Sequence, residues 1–381
     1  MSLPHNQPIK VAMIIQDYIP RIGGAERQLA ALAPLLNERG IDIEILTRRY
    51  PGLARFEFIN GVPVYRLPVI KTKALASLIF TLTAIPVLIK LQPNIIHAHG
   101  LLSPTTTAVM AKRLLGIPVV SKSLRGGILG DLERLKNNSF GHRRLKMLQK
   151  HVDMFITIST EIKDELVKNG IPPERCIFIP NGVKLDRFQS VSKSDKSLLR
   201  ERLGLPSGPL VIFTGRLEME KRVDQLIQVW LEVQKRFTDA HLLILGTGSQ
   251  AEKLKRMAGE GILFGGLVDD TAPYLQTADL FVLPSISEGL SNALLEALAT
   301  GLPVVVTATG GTTDIVRHKV SGWLIQDYNS QRLLEGILAL LDNQSLMESC
   351  ALVGRNYVVE NYSLANTADN LCKLYKSVLS K

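Results

Sequence analysis

The stretch SISEGLSNALLEALATGLPVVVTATGG, residues 285–311, decides the fold. An apolar segment precedes it at residues 280–283, and another lies near its own end at residues 303–307. Between them, a glycine-containing loop leads into a helical pattern that stops at Gly301. The order strand, loop, helix, strand predicts a parallel sheet wrapped by helices. The start of such a helix presents free N–H groups and a positive dipole end, which suit a phosphate or diphosphate.

The same alternation continues over the rest of the chain. Short apolar segments predict buried strands, and longer amphipathic segments between them predict helices. The predicted strands are residues 11–15, 41–46, 94–97, 118–121, 154–158, 210–214 and 242–245, and the predicted helices are residues 25–37, 105–115, 222–237 and 364–379.

The length of the chain indicates more than one domain. A chain of 381 residues is too long for one ordinary core. The predicted fold class is α/β, with two Rossmann-like, doubly wound domains facing across a cleft in which ligands bind at the strand carboxyl ends. The domains are predicted at residues 1–187 and 188–363, followed by a C-terminal helix in residues 364–381, and the polar residues 191–196 are predicted to be a linker.

Basic residues are concentrated in the first half of the chain. The formal charge is +10, and 26 Lys and Arg oppose 14 Asp and Glu through residue 187, against 19 and 21 in the remainder. An anionic membrane surface, an anionic acceptor and a plain solvated face are all compatible with this excess. Nucleic acid is disfavoured because the cluster lacks interleaved aromatic residues. The densest part comprises Lys122, Arg125, Arg134, Lys136, Arg143, Arg144, Lys146 and Lys150.

Other features bear on location. The three cysteines are widely spaced and form no metal-binding or disulfide pattern, which suits a reducing cytosol. The N-terminal sequence MSLPHNQPIK lacks the apolar core of a signal peptide. The uncharged residues 74–89 are shorter than a span of roughly 20 residues and contain Pro86, so we predict a buried or interfacial helix. The expected location is cytoplasmic, with the inner face of the membrane as a candidate.

Two acidic side chains in the opening stretch are candidates for ligand binding. Glu288 lies at the helix entry and Glu296 inside the helix. Each also has a plain structural interpretation, as a carboxylate that stabilises the helix dipole or as a solvated helix residue. Gly289, Leu290 and Ser291 favour the functional interpretation, because such a segment suits bare backbone contacts.

Two basic side chains follow the first strand of the second predicted domain. Arg216 comes directly after residues 210–214, and Lys221 lies five residues further on. Since strand ends face the ligand in this fold, both cations could reach one anion. Fixed cations stabilise the negative charge that develops on a departing diphosphate without a metal ion. A pair of basic surface residues is the alternative.

The first predicted domain has two further candidates. Gly23 and Gly24 open its first helix and would let a ligand approach the backbone, although glycine at a first turn is also common for steric reasons. His97 and His99 form an H-x-H pattern that raises the question of a metal site, but no carboxylate or cysteine nearby completes one. We expect His99 to bind a sugar hydroxyl and His97 to be structural, with no metal in the protein.

Six segments in order resemble the family 4 retaining glycosyltransferases, which have the GT-B fold. The resemblance covers nearly the whole chain, and the pair of glutamates with seven residues between them is its most specific part. The segments are GGAER (23–27), IIHAHG (95–100), IPNGVKLDRF (179–188), TGRLEMEKRVDQLI (214–227), ILGTGS (244–249) and ADLFVLPSISEGLSNALLEALATGLPVV (278–305).

The resemblance implies a role for each matching position. The first domain would bind the acceptor, the second would bind a nucleotide sugar, and the final helix would cross back to the first domain. The implied contacts are Gly23 and Gly24 with the donor phosphates, His99 with the transferred sugar, Arg216 and Lys221 with the diphosphate, Glu288 with the sugar, the backbone of Gly289, Leu290 and Ser291 with sugar and phosphate, and Glu296 with the ribose hydroxyls.

The sequence departs from the family pattern at two places. Arg222 stands where the family usually has glycine, which puts the shape of that loop in question. The segment SLRGG, residues 123–127, stands where a histidine-bearing acceptor loop is common, so Arg125 is a candidate contact for an anionic acceptor.

The sequence therefore predicts a retaining hexosyltransferase. It would use a nucleotide-diphosphate sugar, a hydroxyl acceptor that is a carbohydrate or is linked to lipid, and neither a cofactor nor a metal. Its expected role is in cell-surface polysaccharide or glycolipid synthesis, with peripheral contact to an anionic membrane through the basic first domain. A nucleotide-sugar epimerase of the same two-domain fold is the alternative. A dinucleotide oxidoreductase is disfavoured because no G-x-G-x-x-G follows the first strand. A non-catalytic carbohydrate-binding protein is disfavoured because the two cations proposed for the leaving group, Arg216 and Lys221, are both present.

Overall fold

The chain divides into two compact units in a computed structural model that describes residues 8–70, 73–138 and 140–380. The first unit comprises residues up to Asn181 together with those from Leu364 onward, and the second comprises Gly182–Ser363. Each unit has its own sheet and helices, as the length of the chain predicts.

The first unit is built on an eight-stranded sheet with the order β3-β4-β2-β1-β5-β6-β7-β8. Every neighbouring pair is parallel except β3 and β4. The central strands are apolar on both faces because helices cover both faces of such a sheet. The strands are β1 (Ile9–Ile15), β2 (Ile41–Arg48), β3 (Phe56–Ile59), β4 (Val62–Leu67), β5 (Ile95–His99), β6 (Val119–Lys122), β7 (Met154–Thr157) and β8 (Cys176–Phe178).

Seven helices complete the first unit in the described part of the chain. One of them, α15, comes from the end of the chain and packs against α1, where its apolar stripe joins the core around β1. The helices are α1 (Gly24–Glu38), α2 (Lys73–Leu91), α3 (Ser103–Leu115), α4 (Asp131–Lys136), α5 (Gly141–His151), α6 (Thr160–Lys168) and α15 (Leu364–Leu379).

The antiparallel pair β3–β4 is absent from the sequence prediction. The two strands are joined at Asn60 and Gly61, whose φ angles are +49° and +76°. Positive φ at both residues is what a two-residue hairpin turn requires, and Asn-Gly is the strongest short signal for one. The prediction was available in the sequence and was missed.

The uncharged segment predicted as a buried or interfacial helix is α2. One side of α2 is buried at Phe80, Ala84 and Leu88, while Leu78 and Leu82 on another side are more than half exposed. Within the described residues, no helix combines the length and the hydropathy needed to cross a bilayer.

The second unit is a six-stranded, wholly parallel sheet with the order β11-β10-β9-β12-β13-β14. Its strands are β9 (Leu210–Thr214), β10 (His241–Leu245), β11 (Ile262–Gly266), β12 (Leu280–Leu283), β13 (Val304–Thr307) and β14 (Trp323–Ile325). Its helices are α7 (Lys193–Arg202), α8 (Val223–Arg236), α9 (Ala251–Met257), α10 (Ala272–Thr277), α11 (Asn292–Ala299), α12 (Thr312–Ile315), α13 (Ser330–Leu341) and α14 (Gln344–Asn361). The predicted α/β class with two parallel, Rossmann-like sheets is confirmed.

The boundary between the units differs from the predicted one. Residues 182–187 belong to the second unit, because Val183 donates its N–H to the Tyr362 carbonyl at 2.9 Å and Arg187 forms an ion pair with Asp270 at 2.9 Å. The polar segment predicted to be a linker runs into α7, whose first turn is capped by the Ser192 hydroxyl. A serine followed three residues later by an acid is an N-terminal helix signal that outweighs overall polarity.

Candidate active site

Two loops of the second unit meet at the carboxyl edge of its sheet. One follows β9 and the other follows β12, two neighbouring strands. The Ile286 N–H donates to the Glu220 carbonyl at 2.9 Å, and the ammonium of Lys221 donates to Oε1 of Glu288 at 2.5 Å. The structure therefore brings together two residues that the sequence proposes for one site, although they are 67 positions apart.

The ion pair of Lys221 and Glu288 is almost completely buried. The lysine side chain is 12% exposed and the glutamate side chain 8%. In the part of the chain that the structure describes, the Lys221 ammonium has no other protein partner, so two of its three N–H donors stay available. The pair can thus hold the lysine in place while the lysine binds an anion.

Arg216 lies on the same loop but is held less firmly. Its side chain is 54% exposed, and its guanidinium is 3.6 Å from the Glu220 carboxylate. An exposed pair of this kind contributes little to stability and leaves the side chain free to turn. The structure places Arg216 near the site without fixing its guanidinium there.

Buried hydroxyls without a partner mark the same edge of the second sheet. Thr214 and Thr307 end the strands β9 and β13, and Ser285 follows β12, which lies between them. A buried hydroxyl without a hydrogen bond is destabilising, so several together indicate a place that a ligand or ordered water completes. The buried hydroxyl oxygens without a partner in this unit are those of Thr214, Ser285, Ser287, Thr307, Thr312 and Tyr328.

The predicted helix after Glu288 is α11, and it begins at Asn292. Its first turn is capped by Ser291, whose hydroxyl accepts the Leu294 N–H at 3.3 Å. Glu296 lies in the second turn of α11 and is half-buried, with the Thr271 hydroxyl 3.4 Å from Oε2. Gly289 accepts a backbone hydrogen bond from Gly311 at 2.6 Å, which ties the Glu288 loop to the loop after β13.

Glu218 is a functional candidate that the sequence interpretation missed. Its carboxylate accepts hydrogen bonds from the backbone N–H and the hydroxyl of Ser249, at 3.1 and 2.6 Å. These bonds hold the pKa of Glu218 below its ordinary value. They fasten the glycine-containing loop after β10 to the Lys221 loop. The positions of Glu218 and Ser249 in the sequence do not by themselves indicate that these two residues are hydrogen-bonded.

Arg222 has the backbone conformation that favours glycine. Its φ is +52°, and its guanidinium carbon lies 5.6 Å from the centre of the Tyr328 ring. The family's preference for glycine at this position thus has a physical reason, and the arginine adopts the left-handed conformation while contacting an aromatic ring.

In the first unit, Gly23 and Gly24 lie at the start of α1 as predicted. A Cβ added at Gly23 would come within 2.5 Å of a carboxylate oxygen of Glu26. The acid therefore lies against the helix start that the sequence interpretation assigns to donor phosphates. Because this oxygen ends a flexible side chain that can move aside, the contact sets no strict steric requirement at Gly23, and phosphate binding there stays a prediction.

His97 and His99 are both buried on β5. Nδ1 of His97 is hydrogen-bonded to the Tyr375 hydroxyl of α15 at 2.7 Å, and the two imidazole rings stack with centres 4.4 Å apart. Nε2 of His99 has no partner. His97 is thus built into the packing of α15 through Nδ1, while Nε2 of His97, like that of His99, is buried without a partner. Among the described residues no three His, Cys, Asp or Glu side chains converge as metal ligands would.

The buried histidines predict a loss of stability in acid. Burial and the nearby ammonium of Lys122 together lower the pKa of His97 to about 3, and burial, His97 and Lys122 lower the pKa of His99 well below 6.5. The hydroxyl of Tyr375 is the other polar group that contacts His97. The unfolded chain therefore binds more protons than the folded chain below about pH 6.5. We expect the free energy of unfolding to fall by up to about 1.4 kcal/mol per pH unit for each histidine as the pH is lowered.

Denaturant titrations between pH 7.5 and 5 measure this effect. The free energy of unfolding should change less steeply with pH in His97→Gln than in the unmodified protein. Replacement of the exposed His142 on α5 by glutamine controls for the loss of a histidine as such. An identical slope in the His97 variant and the unmodified protein would refute the explanation.

Comparison with known proteins gives the family. The profile described as "Glycosyltransferase Family 4" matches residues 22–187, and the profile described as "Glycosyl transferases group 1" matches residues 208–343. These ranges together take in most of both units. The chain therefore belongs to the family 4 glycosyltransferases.

Individual relatives agree with this family, and solved structures agree with the fold. An uncharacterized glycosyltransferase of Methanocaldococcus jannaschii is 28% identical over 97% of this chain and 98% of its own length. The UDP-Gal:alpha-D-GlcNAc-diphosphoundecaprenol alpha-1,3-galactosyltransferase of Escherichia coli is 25% identical over 98% of each. The crystal structure of Anabaena Alr3699/HepE in complex with UDP-glucose is similar in fold, with a TM-score of 0.81, 19% identity and coverage of 97% of this chain and 99% of that one. The fold is GT-B, and the epimerase alternative has no support from these matches.

Proposed function

We propose that this protein transfers a hexosyl group from a nucleotide-diphosphate sugar to a hydroxyl acceptor with retention of the anomeric configuration. The observation that carries the proposal is the arrangement at the carboxyl edge of the second sheet. There the buried pair of Lys221 and Glu288 adjoins a set of buried hydroxyls without partners. An ammonium with free donors suits a diphosphate, and hydroxyls suit the oxygens of a sugar or a phosphate.

In this proposal the second unit holds the donor. Lys221 and Arg216 bind the diphosphate and stabilise the charge that develops as it leaves, together with the backbone near Gly289. Glu288 lies by the transferred sugar, and Glu296 binds the ribose hydroxyls. His99 of the first unit hydrogen-bonds the sugar. The acceptor hydroxyl attacks from the face that the diphosphate leaves, and a leaving phosphate oxygen takes its proton.

The relatives support this type of substrate. The Escherichia coli relative is named for UDP-galactose and a lipid diphosphate, and a Mycobacterium tuberculosis relative, 23% identical over 93% of this chain, is named as GDP-mannose-dependent. We propose a carbohydrate or lipid-linked acceptor in polysaccharide or glycolipid synthesis, no metal requirement, and a cytoplasmic location at the inner face of the membrane. Co-sedimentation with phosphatidylglycerol vesicles tests the membrane contact, and undiminished transfer in a chelator tests metal independence.

A melting experiment with a panel of nucleotides tests the donor class. A ligand present at 100 times its Kd stabilises the folded state by about 2.7 kcal/mol, which raises the melting temperature of a unit of this size by about 5–10 °C. We expect one of UDP, GDP or ADP and its sugars to give this shift, and the matching monophosphate to give a smaller one. No shift with any diphosphate would contradict the proposal.

The stereochemistry is tested on the product. With the donor and acceptor that the panel and subsequent transfer assays identify, NMR of the first product formed should show the same anomeric configuration as the donor. A product with the inverted configuration would contradict retention but not the proposed sugar transfer.

A further inference from the structure

A buried lysine of the first unit has no role in the site described so far. Lys122 is the last residue of β6 and is 5% exposed. Its charge places it in the basic cluster for which the sequence left a membrane surface, an anionic acceptor and a plain solvated face open, and its burial excludes the solvated face for this residue. The reason is visible in the sequence VVSK: the lysine ends an apolar, fully buried strand.

The charged ammonium of Lys122 has a neutral group as its hydrogen-bond partner. Its ammonium donates to the side-chain carbonyl of Asn181 at 2.9 Å. Within residues 8–70, 73–138 and 140–380, no carboxylate pairs with it. Burial lowers the pKa of Lys122 to about 8, so the side chain remains mainly charged at neutral pH. An ammonium taken out of water without a counter-ion is strongly destabilising.

A second unsatisfied group lies beside this lysine. Lys122 is the parallel register partner of His99 on β5, and paired residues of neighbouring strands project from the same face of the sheet. Nε2 of His99 is buried without a hydrogen-bond partner. Two buried polar groups, one charged and one able to donate, thus lie side by side at the carboxyl edge where ligands bind in doubly wound sheets.

We propose that Lys122 and His99 form a binding site for an oxyanion, a carboxylate or a phosphate, carried by one of the two substrates. The ammonium supplies the counter-charge, and a neutral His99 with its proton on Nε2 supplies a hydrogen bond. An anion bound here would satisfy both groups at once, which no residue in the described part of the chain does. The identity of the carrier as a substrate rests on the proposed function, whereas the anion site rests on the geometry of the first unit alone.

Two sources could present this chemistry. A uronic acid on the donor would bring a carboxylate, and an acidic sugar or a phosphate on the acceptor would bring the same kind of group. Both would be selected over a neutral sugar, because a neutral hydroxyl leaves the buried ammonium without a counter-charge.

The site itself is tested with inorganic phosphate. Melting temperatures are measured for the unmodified protein and for Lys122→Met while phosphate replaces chloride at constant ionic strength. We expect phosphate to raise the melting temperature of the unmodified protein by several degrees more than that of the variant. A phosphate site elsewhere is shared by both proteins, so the difference between them reports Lys122. Without phosphate, the variant should melt at or above the temperature of the unmodified protein, because an unpaired charge has been removed.

Two controls accompany this measurement. Lys112→Met removes a lysine of the same unit that forms an ion pair with Asp153 at 2.5 Å, and it should keep the full phosphate response while melting at a lower temperature. Lys122→Arg keeps the charge and should keep most of the response. If the methionine variant does not fold, Lys122→Gln takes its place. Equal phosphate responses in the unmodified protein and the uncharged variant would overturn the proposal.

The source of the anion is then assigned with two donors that differ in one group. With the nucleotide that the panel identifies, binding of its glucuronate derivative at least tenfold more tightly than its glucose derivative, with the preference lost in Lys122→Met, points to the donor. Equal affinities for the two donors, with the difference in phosphate response retained, point to the acceptor. Failure of the proposed function is a separate result: the unmodified protein would bind no nucleotide and transfer no sugar, while the phosphate difference would remain.

Discussion

Replacement of Lys221 by methionine is expected to lower kcat for sugar transfer by about 100- to 1,000-fold, the usual effect of removing one donor from a developing oxyanion. The variant removes the cation that we assign to the departing diphosphate, and methionine fills nearly the same space. Initial rates are measured with the donor that the nucleotide panel identifies. The exposed pair of Lys255 and Glu252 provides the matched control, because Lys255→Met removes a lysine from a helix surface and should leave kcat unchanged.

The same variant also disturbs the fold, and the two effects must be separated. Removal of Lys221 leaves the Glu288 carboxylate buried without its cation, which costs about 3–5 kcal/mol. The double variant Lys221→Met with Glu288→Gln removes both charges and should regain most of that stability while remaining inactive. If the double variant regained activity together with stability, the contribution of Lys221 would be structural and its assignment to the diphosphate would be wrong.

Substitution of Gly310 by alanine is expected to lower the free energy of unfolding by about 2–5 kcal/mol. The φ of Gly310 is +55°, and a Cβ there would lie 2.3 Å from the carbonyl oxygen of Glu288 and 2.7 Å from that of Gly289. Both obstacles are backbone atoms, so the methyl group cannot be accommodated by a change of rotamer. The loop bearing Glu288 must move, and nucleotide affinity should fall with stability.

Gly204 provides a control for the backbone conformation alone. Its φ is +63°, close to that of Gly310, but a Cβ there would have no atom within 4 Å. Gly204→Ala should therefore lose only about 1–2 kcal/mol for the left-handed conformation. Denaturant titrations of both variants measure the difference. Equal losses in the free energy of unfolding of the two variants would show that the contact between a Cβ at Gly310 and the Glu288 loop does not destabilise the protein.

The sequence predicts the layout of the sheets well because buried parallel strands are apolar on both faces. Val11, Ile43 and Ile212, for example, lie in such segments, and each is less than 1% exposed. Register, strand order and the edge hairpin require more information, since they depend on partners distant in the chain. The Asn60–Gly61 turn is the exception, because its signal is local and was overlooked.

The pairings within the site could not be predicted, although several of its residues could. Lys221 and Glu288 were each recognised by position relative to a strand or a helix, but their contact depends on how two loops pack after neighbouring strands. The hydrogen bond between His97 and Tyr375 joins residues 278 positions apart, and no local sequence pattern predicts it. The burial of Lys122 was not predicted, because formal charge was counted without regard to the apolar strand that it ends.

The return of α15 to the first unit sets the order in which the chain can be completed. Its residues Leu371, Leu374 and Tyr375 belong to the same core as β1, and Tyr375 anchors His97. During synthesis on the ribosome, the second unit is translated before this helix exists. The N-terminal unit, which would ordinarily mature first, must wait with part of its core uncovered until the last helix emerges, so a nascent polypeptide halted after residue 363 would carry a finished second unit and an unfinished first one.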